Sequence, residues 1–314
     1  MYTISSYATV GISAPMIFPK SFEDDLWHLH AVNTICRMSQ FDAIEGFLPE
    51  DDNIRAQEVR LIRESGKQFN YNFPLPLQQD GPCNPCSEDP AVRTAGLLLA
   101  KTHLDYAGEL GAGIVVVASA PDKGESVRTE LKKRFADFYL QIAEYAKRYN
   151  IILALEPIER HRFKKLLMGP TEECANFIID MQKQGCCNAK LILDICHLPL
   201  MEEELGTALS LSMPVGLAHI HMADAVLEPG NEFYGHTHPP IGVQGGSFDL
   251  KELTEQFHQL FVYGYLTLNP PKNKPLISLE VRPYPGVSSE TSAIAQFEKL
   301  EQSFKRAVEL VLAG

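Results

Sequence analysis

Residues 113–118 read Gly-Ile-Val-Val-Val-Ala and residues 151–156 read Ile-Ile-Leu-Ala-Leu-Glu, with the long segment Glu125–Tyr149 between them. A continuous β-branched run of this length suits a strand buried on both faces. The segment between them is long enough for a helix that crosses back over the sheet. Two such strands joined by a helix make a parallel βαβ unit. The same alternation continues in both directions. Lys190–Asp194, Val215–Met222 and Pro275–Val281 read as further strands. Thr171–Lys183, Glu202–Ser212, Asp249–Val262 and Glu290–Leu312 read as helices, the first capped by Thr171 with Glu172 and Glu173 in its first turn. Upstream, Ala8–Ser13, Phe41–Phe47 and Gln68–Leu75 are strands, and Phe22–Ser39, Asn53–Ser65 and Pro90–Leu110 are helices. Two long loops interrupt the pattern, Gln78–Asp89 and Asp224–Gly246.

Eight βα units in series predict an α/β fold closed as a (β/α)8 TIM barrel, a single domain over residues 1–314. A doubly wound open sheet is the alternative. No GxGxxG turn follows the first strand, which argues against it. The length of 314 residues and a hydrophobic fraction of 45% support one large core. The net charge of −12 makes nucleic acid a poor partner, since an acidic surface repels a phosphate backbone. Seven cysteines without a regular framework suit a reducing cytosol, and Cys83-Asn-Pro-Cys86 lacks the second pair that a zinc site needs. No stretch reaches the roughly 18 apolar residues of a membrane span, so the expectation is a soluble, cytoplasmic protein with no membrane partner.

In a barrel of this kind, chemistry collects at the C-terminal ends of the strands. Strand five ends at Glu156, strand six at Asp194 and strand eight at Glu280, while strand seven carries His219 and His221. Carboxylates left at the mouth of an apolar core are costly unless something positive compensates. One divalent cation does so for all of them. Carboxylates with one imidazole suit Mn²⁺, Mg²⁺ or Co²⁺, with Zn²⁺ a further candidate, and leave positions open for substrate oxygens. The competing explanation is a buried ion-pair network in which Arg160, Arg162 and Arg282 neutralise Glu156 and Glu280.

The segments Leu153–Arg160, Leu193-Asp-Ile-Cys-His197, His219-Ile-His-Met-Ala-Asp224 and Ser278-Leu-Glu-Val-Arg282 resemble the xylose-isomerase-like barrel superfamily. Within it they look most like the ketose 3-epimerases and related sugar isomerases, over about residues 95–310. The resemblance implies Glu156, Asp194, His221 and Glu280 as ligands of one divalent ion, Mn²⁺ first among the candidates. It leaves His219 as a packing or supporting group and makes His197 a contact to substrate oxygen. Arg282, His236 and His238 are further candidate substrate contacts, Arg282 competing with a simple salt bridge. The implied activity is a sugar isomerase or epimerase acting on a keto-sugar through a metal-stabilised enediolate. Glu156 and Glu280 would be the proton-transfer groups. A lyase on the same metal is the alternative, either a deglycosidase or a keto-inositol dehydratase working by elimination. The expected partner is a small sugar or sugar derivative. The chain is expected to pair with itself, or with a small subunit if it is a deglycosidase.

Three positions depart from the ketose epimerase pattern. Glu159 stands where that branch has Asn, Arg162 where it has a second acid, and Leu227 where it has Arg. The loop Gly235–Gly242 also carries His236 and His238, a spacing that resembles the endonuclease IV branch. There it would join His197 around a second metal. The extra histidines which that branch places on strands three and four are missing, since Asn70–Pro74 and Val117–Pro121 stand there. His161 reads as an exposed loop residue, and His28, His30, His103 and His258 as surface or packing residues of helices.

Overall fold

The computed structural model describes residues 2–314. Eight parallel strands close into a barrel in the order β1 to β8. They are β1 Thr9–Ser13, β2 Ala43–Gly46, β3 Gln68–Asn72, β4 Ile114–Val117, β5 Ile152–Leu155, β6 Ala189–Asp194, β7 Leu217–Met222 and β8 Leu276–Leu279. The ring is sealed by β1 pairing with β8, Gly11 opposite Ser278. Closure removes the two edges that an open sheet would leave unpaired. The principal helices are α1 Asp25–Cys36, α2 Asp52–Ser65, α3 Pro90–Leu110, α4 Glu125–Ala146, α5 Thr171–Lys183, α6 Leu205–Ser212, α7 Leu250–Val262 and α8 Ser289–Ala313.

Side chains alternate between the two faces of each strand. One set, including Val115, Val117, Leu153, Leu155, Leu191 and Leu193, packs outward against the helices as part of the large core. The other set points into the barrel. There Val116, Ala154 and Ile192 form a small apolar cluster of their own. Two residues further along β5 and β6, the same inward register brings Glu156 and Asp194 to the mouth. On β1, β2, β3, β7 and β8 the inward face carries buried polar residues: Ser13, Glu45, Asn70, His219, His221 and Ser278. The barrel interior is therefore apolar on one side and polar on the other.

The predicted elements are present, most strands being shorter than expected and β6 one residue longer. Glu156 and Glu280 fall one residue beyond β5 and β8. Each is still held in the ladder by its backbone N–H, which donates to Val117 O (3.0 Å) and Met222 O (3.0 Å) respectively. One local expectation fails. Thr171 is the first helical residue of α5, and Pro170 occupies the cap position. The Thr171 hydroxyl bonds Glu203 instead, at 2.5 Å, so tertiary contact takes the group that would have capped the helix. Two short helices the pattern did not announce, Ile4–Tyr7 and Ala14–Ile17, flank β1, and His197–Met201 forms a third after β6. Among the described residues, no helix is long and apolar enough to cross a membrane.

Candidate functional site

Four elements deliver one chemistry-bearing residue each to the C-terminal mouth: Glu156 after β5, Asp194 at the end of β6, His221 on β7 and Glu280 after β8. Each offers one ligand atom, and those atoms all lie within 4.8 Å of one another. His221 Nδ1 stands 3.8 Å from Glu156 Oε1 and 3.8 Å from Asp194 Oδ2, and lies against Glu280 Oε2. The other ring nitrogen, Nε2, donates to Glu45 Oε1 at 2.7 Å. Asp194 Oδ1 accepts from the Cys196 backbone N–H at 2.7 Å. Asp194 Oδ2 and His221 Nδ1 are buried and make no hydrogen bond of proper geometry.

The arginines that the competing ion-pair explanation requires lie elsewhere. Arg160 pairs with Glu173 and Arg162 with Glu202. Arg282 is exposed, and among the described residues it makes no ion pair. Among the described residues, no lysine or arginine is paired with Glu156, Asp194 or Glu280, whose ionic contacts are all imidazoles.

The electrostatics follow. Burial pushes the Asp194 carboxyl well above the usual carboxylate range, and the neighbouring Glu280 and Glu156 add to this against His221. Burial works against charge on His221, yet Glu280 and Glu45 raise it well above an ordinary histidine. Glu280 is lowered: burial pushes its carboxyl up, but the adjacent His221 outweighs it. The donor set fits a divalent cation. Hard carboxylate oxygens and one imidazole nitrogen, which a bound cation would relieve of its proton, converge, and two of the donor atoms are otherwise unsatisfied.

Around this centre stand three more histidines. His197 Nδ1 donates to Pro157 O at 3.0 Å, which leaves Nε2 as a lone pair 3.5 Å from Asp194 Oδ2. His238 Nδ1 donates to Glu280 O at 3.1 Å, and the Arg282 N–H donates to His238 O at 2.8 Å. Those two bonds hold His238 at φ 49°, a left-handed conformation that costs a non-glycine residue about 1–2 kcal/mol. His236 Nδ1 donates to Glu159 Oε2 at 3.0 Å, and its ring stacks on His197 with centroids 4.6 Å apart. The two Nε2 atoms of His236 and His238 face each other at 3.3 Å. With both Nδ1 atoms engaged as donors, two lone pairs meet there. Burial lowers His197 and His236 to about 3 and His238 to about 4, so these rings stay neutral. Cys196, His197 and His238 also bring ligand atoms together. Burial holds the Cys196 thiol well above its usual range, away from the thiolate a metal would need.

A family model, the xylose isomerase-like TIM barrel, matches residues 35–298. The chain belongs to this family. Several solved barrels superpose on nearly all of it. A D-tagatose 3-epimerase-like protein aligns with TM-score 0.71 and 18% identity, over 96% of this chain and 99% of its own. A 3-keto-D-glucoside 4-epimerase from E. coli aligns with TM-score 0.66 and 18% identity, over 95% and 99%. IOLI, solved with a bound zinc atom, aligns with TM-score 0.64 and 15% identity, over 96% and 98%. At these identities the likeness speaks for the fold. No curated protein matches the sequence.

One residue of the site escaped the sequence reading. Glu45 on β2 is fully buried and reaches both histidines of β7. Its signal was present: Phe41-Asp-Ala-Ile-Glu45 brings an acid toward the end of the strand read over Phe41–Phe47, like the three that were recognised. His219, expected to pack or support, is buried and bonds Ser278 Oγ at 2.9 Å. His28 and His103, placed on helices, are buried in pairs with Glu58 (2.8 Å) and the Tyr71 hydroxyl (2.6 Å).

Proposed function

We propose that this protein is a metal-dependent sugar isomerase or epimerase that moves a proton next to a ketone. The observation that carries the reading is the convergence of three carboxylates and one imidazole at the barrel mouth without any lysine or arginine to balance them. Glu156, Asp194, His221 and Glu280 would hold one divalent ion, with Mn²⁺ the first choice and Mg²⁺, Co²⁺ or Zn²⁺ the others. When bound, such an ion supplies positive charge that offsets the negative charge growing on a substrate oxygen. Glu156 and Glu280 follow β5 and β8, strands separated by two others, so they approach the bound carbon from different sides. One carboxylate removes the α-proton and the other returns a proton to the opposite face, which inverts the centre. Return to a different carbon gives isomerisation. The neighbours named as sugar epimerases support this choice of substrate class.

The neutral histidines are the groups to meet the sugar. The opposed Nε2 atoms of His236 and His238 are two acceptors in want of a donor, and a polyol hydroxyl supplies one. His197 Nε2 offers a third acceptor beside Asp194. Arg282, exposed and free of any ion pair among the described residues, is the fourth candidate contact.

A lyase reading has one observation in its favour. Glu159 stands where the ketose epimerases have Asn, and it anchors His236 beside the mouth. An acid–base pair there would serve a leaving group, as elimination from a 3-oxo sugar requires. The experiment that separates the two is incubation of the Mn²⁺-loaded protein with ketoses and 3-keto-glycosides in deuterium oxide. An epimerase returns substrate and epimer labelled with one deuterium, whereas a lyase yields an unsaturated product. Absence of both reactions and of any bound metal would overturn the reading.

A further inference from the structure

The ligand histidine of this centre is steered from a strand that is not its neighbour in the barrel. Glu45 lies on β2 and His221 on β7, and the two meet through the barrel interior. Glu45 is fully buried. Its Oε1 accepts from His221 Nε2 at 2.7 Å, and its Oε2 lies 3.3 Å from His219 Nε2. His219 Nε2 in turn lies 2.9 Å from Ser278 Oγ on β8. The space for that serine comes from Gly11 on β1, where a Cβ would stand 2.4 Å from Ser278 Oγ. The only ionic partners of Glu45 among the described residues are the two imidazoles.

This arrangement has a chemical consequence. A carboxylate accepts and does not donate, so the proton of the His221–Glu45 bond sits on Nε2. In the neutral ring that a metal ligand must be, the lone pair is then on Nδ1, the atom that faces Glu156, Asp194 and Glu280. A neutral acceptor at position 45 could orient the ring equally well. A buried carboxylate is the costlier choice, and it returns something a neutral group does not: it draws the Nε2 proton toward itself and makes Nδ1 a stronger donor.

We infer that Glu45 is a positioning residue of the metal centre, which fixes the tautomer, the ring orientation and the donor strength of His221. The inference rests on the proposed metal reading.

The test is cobalt titration of the full-length metal-free protein, followed by the visible spectrum and calorimetry. It compares wild type with Glu45→Gln, Glu45→Asp and Glu45→Ala, and with Glu156→Gln as a ligand control. Glu45→Gln keeps shape and acceptor while losing charge, and Glu45→Asp keeps charge but falls short of His221 by one methylene. Each should bind cobalt about 10–100-fold more weakly than wild type, the usual cost of losing such a partner. A second readout is the His221 Nε2 proton in the NMR spectrum of zinc-loaded protein. It should be slow to exchange and far downfield in wild type, less shifted in Glu45→Gln and lost in Glu45→Ala. A merely structural role would lower the urea midpoint of the metal-free protein without moving that proton in Glu45→Gln. Wild-type cobalt affinity in Glu45→Gln and Glu45→Asp, with Glu156→Gln impaired, would overturn the inference and leave the metal reading standing. Failure of wild type itself to bind cobalt or manganese would overturn the metal reading and the inference with it. Should Glu45→Ala not fold, the glutamine and aspartate variants still decide the question.

Discussion

Replacing Asp194 by Asn separates two effects of one carboxylate that pull in opposite directions. Asp194 Oδ1 is satisfied by the Cys196 N–H, but Oδ2 is buried without a donor beside two other carboxylates. Burial, reinforced by Glu280 and Glu156, holds this carboxyl well above its ordinary value of 3.8. The sign of the linkage follows. The unfolded chain releases the proton near 3.8, whereas the metal-free folded chain keeps it to higher pH. Folding therefore takes up a proton, and stability falls as pH rises through that window. The slope is about 1.4 kcal/mol per pH unit. Asparagine has no such slope, and its amide gives the surrounding oxygens a donor. Metal-free Asp194→Asn should match wild type near the ordinary carboxylate pKa. Above it the variant should gain on wild type by about 1.4 kcal/mol per pH unit, until Asp194 ionises in the folded chain. Saturating metal reverses the order. An ion at about 1,000 times its Kd adds roughly 4 kcal/mol to the protein that binds it. The variant, one anionic ligand short, gains little. Equilibrium urea unfolding in EDTA at several pH values, repeated with Mn²⁺, measures both effects. A stability difference that does not change with pH would refute the stranded-carboxylate argument. An equal gain from Mn²⁺ in both proteins would refute the ligand assignment.

Three further outcomes are open to measurement. On the proposed proton-transfer reading, Glu156→Gln and Glu280→Gln should each lower turnover of a keto-sugar by about 10²–10⁴-fold. Retention of half the wild-type rate by either variant would remove it from proton transfer. His103 is held at about 4 by burial, below its ordinary 6.5, so its contribution is present above 6.5 and lost as pH falls toward 4. His103→Gln should flatten the acid limb of urea stability in that range, and an unchanged slope would contradict this. Gly11→Ala should cost about 1–3 kcal/mol through its clash with Ser278 Oγ, and adding Ser278→Ala should recover part of it. Strict additivity of the two substitutions would show that the contact is not the cause.

The fold was legible because its signal is local. Apolar runs such as 114–117 and 152–155 carry the same pattern whatever they pair with, and helices such as Pro90–Leu110 and Thr171–Lys183 have the expected ends. What escaped depended on contacts far apart in the chain or on a cap that the pattern did not single out. Residues 22–24 read as helix, yet α1 begins at Asp25, because the Asp24 side chain accepts from Leu26 N and Trp27 N and caps it there. Thr171 lost its expected capping role to Glu203, a residue on another loop. Gln68–Leu75 was expected as one strand, but Pro74 and Pro76 turn its end into a short 3₁₀ segment.

The candidate site divides along the same line. Its four convergent residues were readable because each stands at or near the end of a strand in the second half of the chain, where the runs are most regular. Glu45 stands near the end of its strand in the same way, but its partner His221 lies 176 residues away. In an open sheet, strands two and seven would have no reason to meet. Closure of the barrel is what makes the inward side of β2 face β7, so an acid at the end of β2 must be read against the histidines of β7. The register makes this concrete: Ser13, Glu45 and Asn70 sit side by side on β1, β2 and β3. An inward polar row of that kind is expensive inside a barrel unless it serves groups across the ring. Once closure is inferred, the cost of burying Glu45 is itself the clue to His221 as its partner.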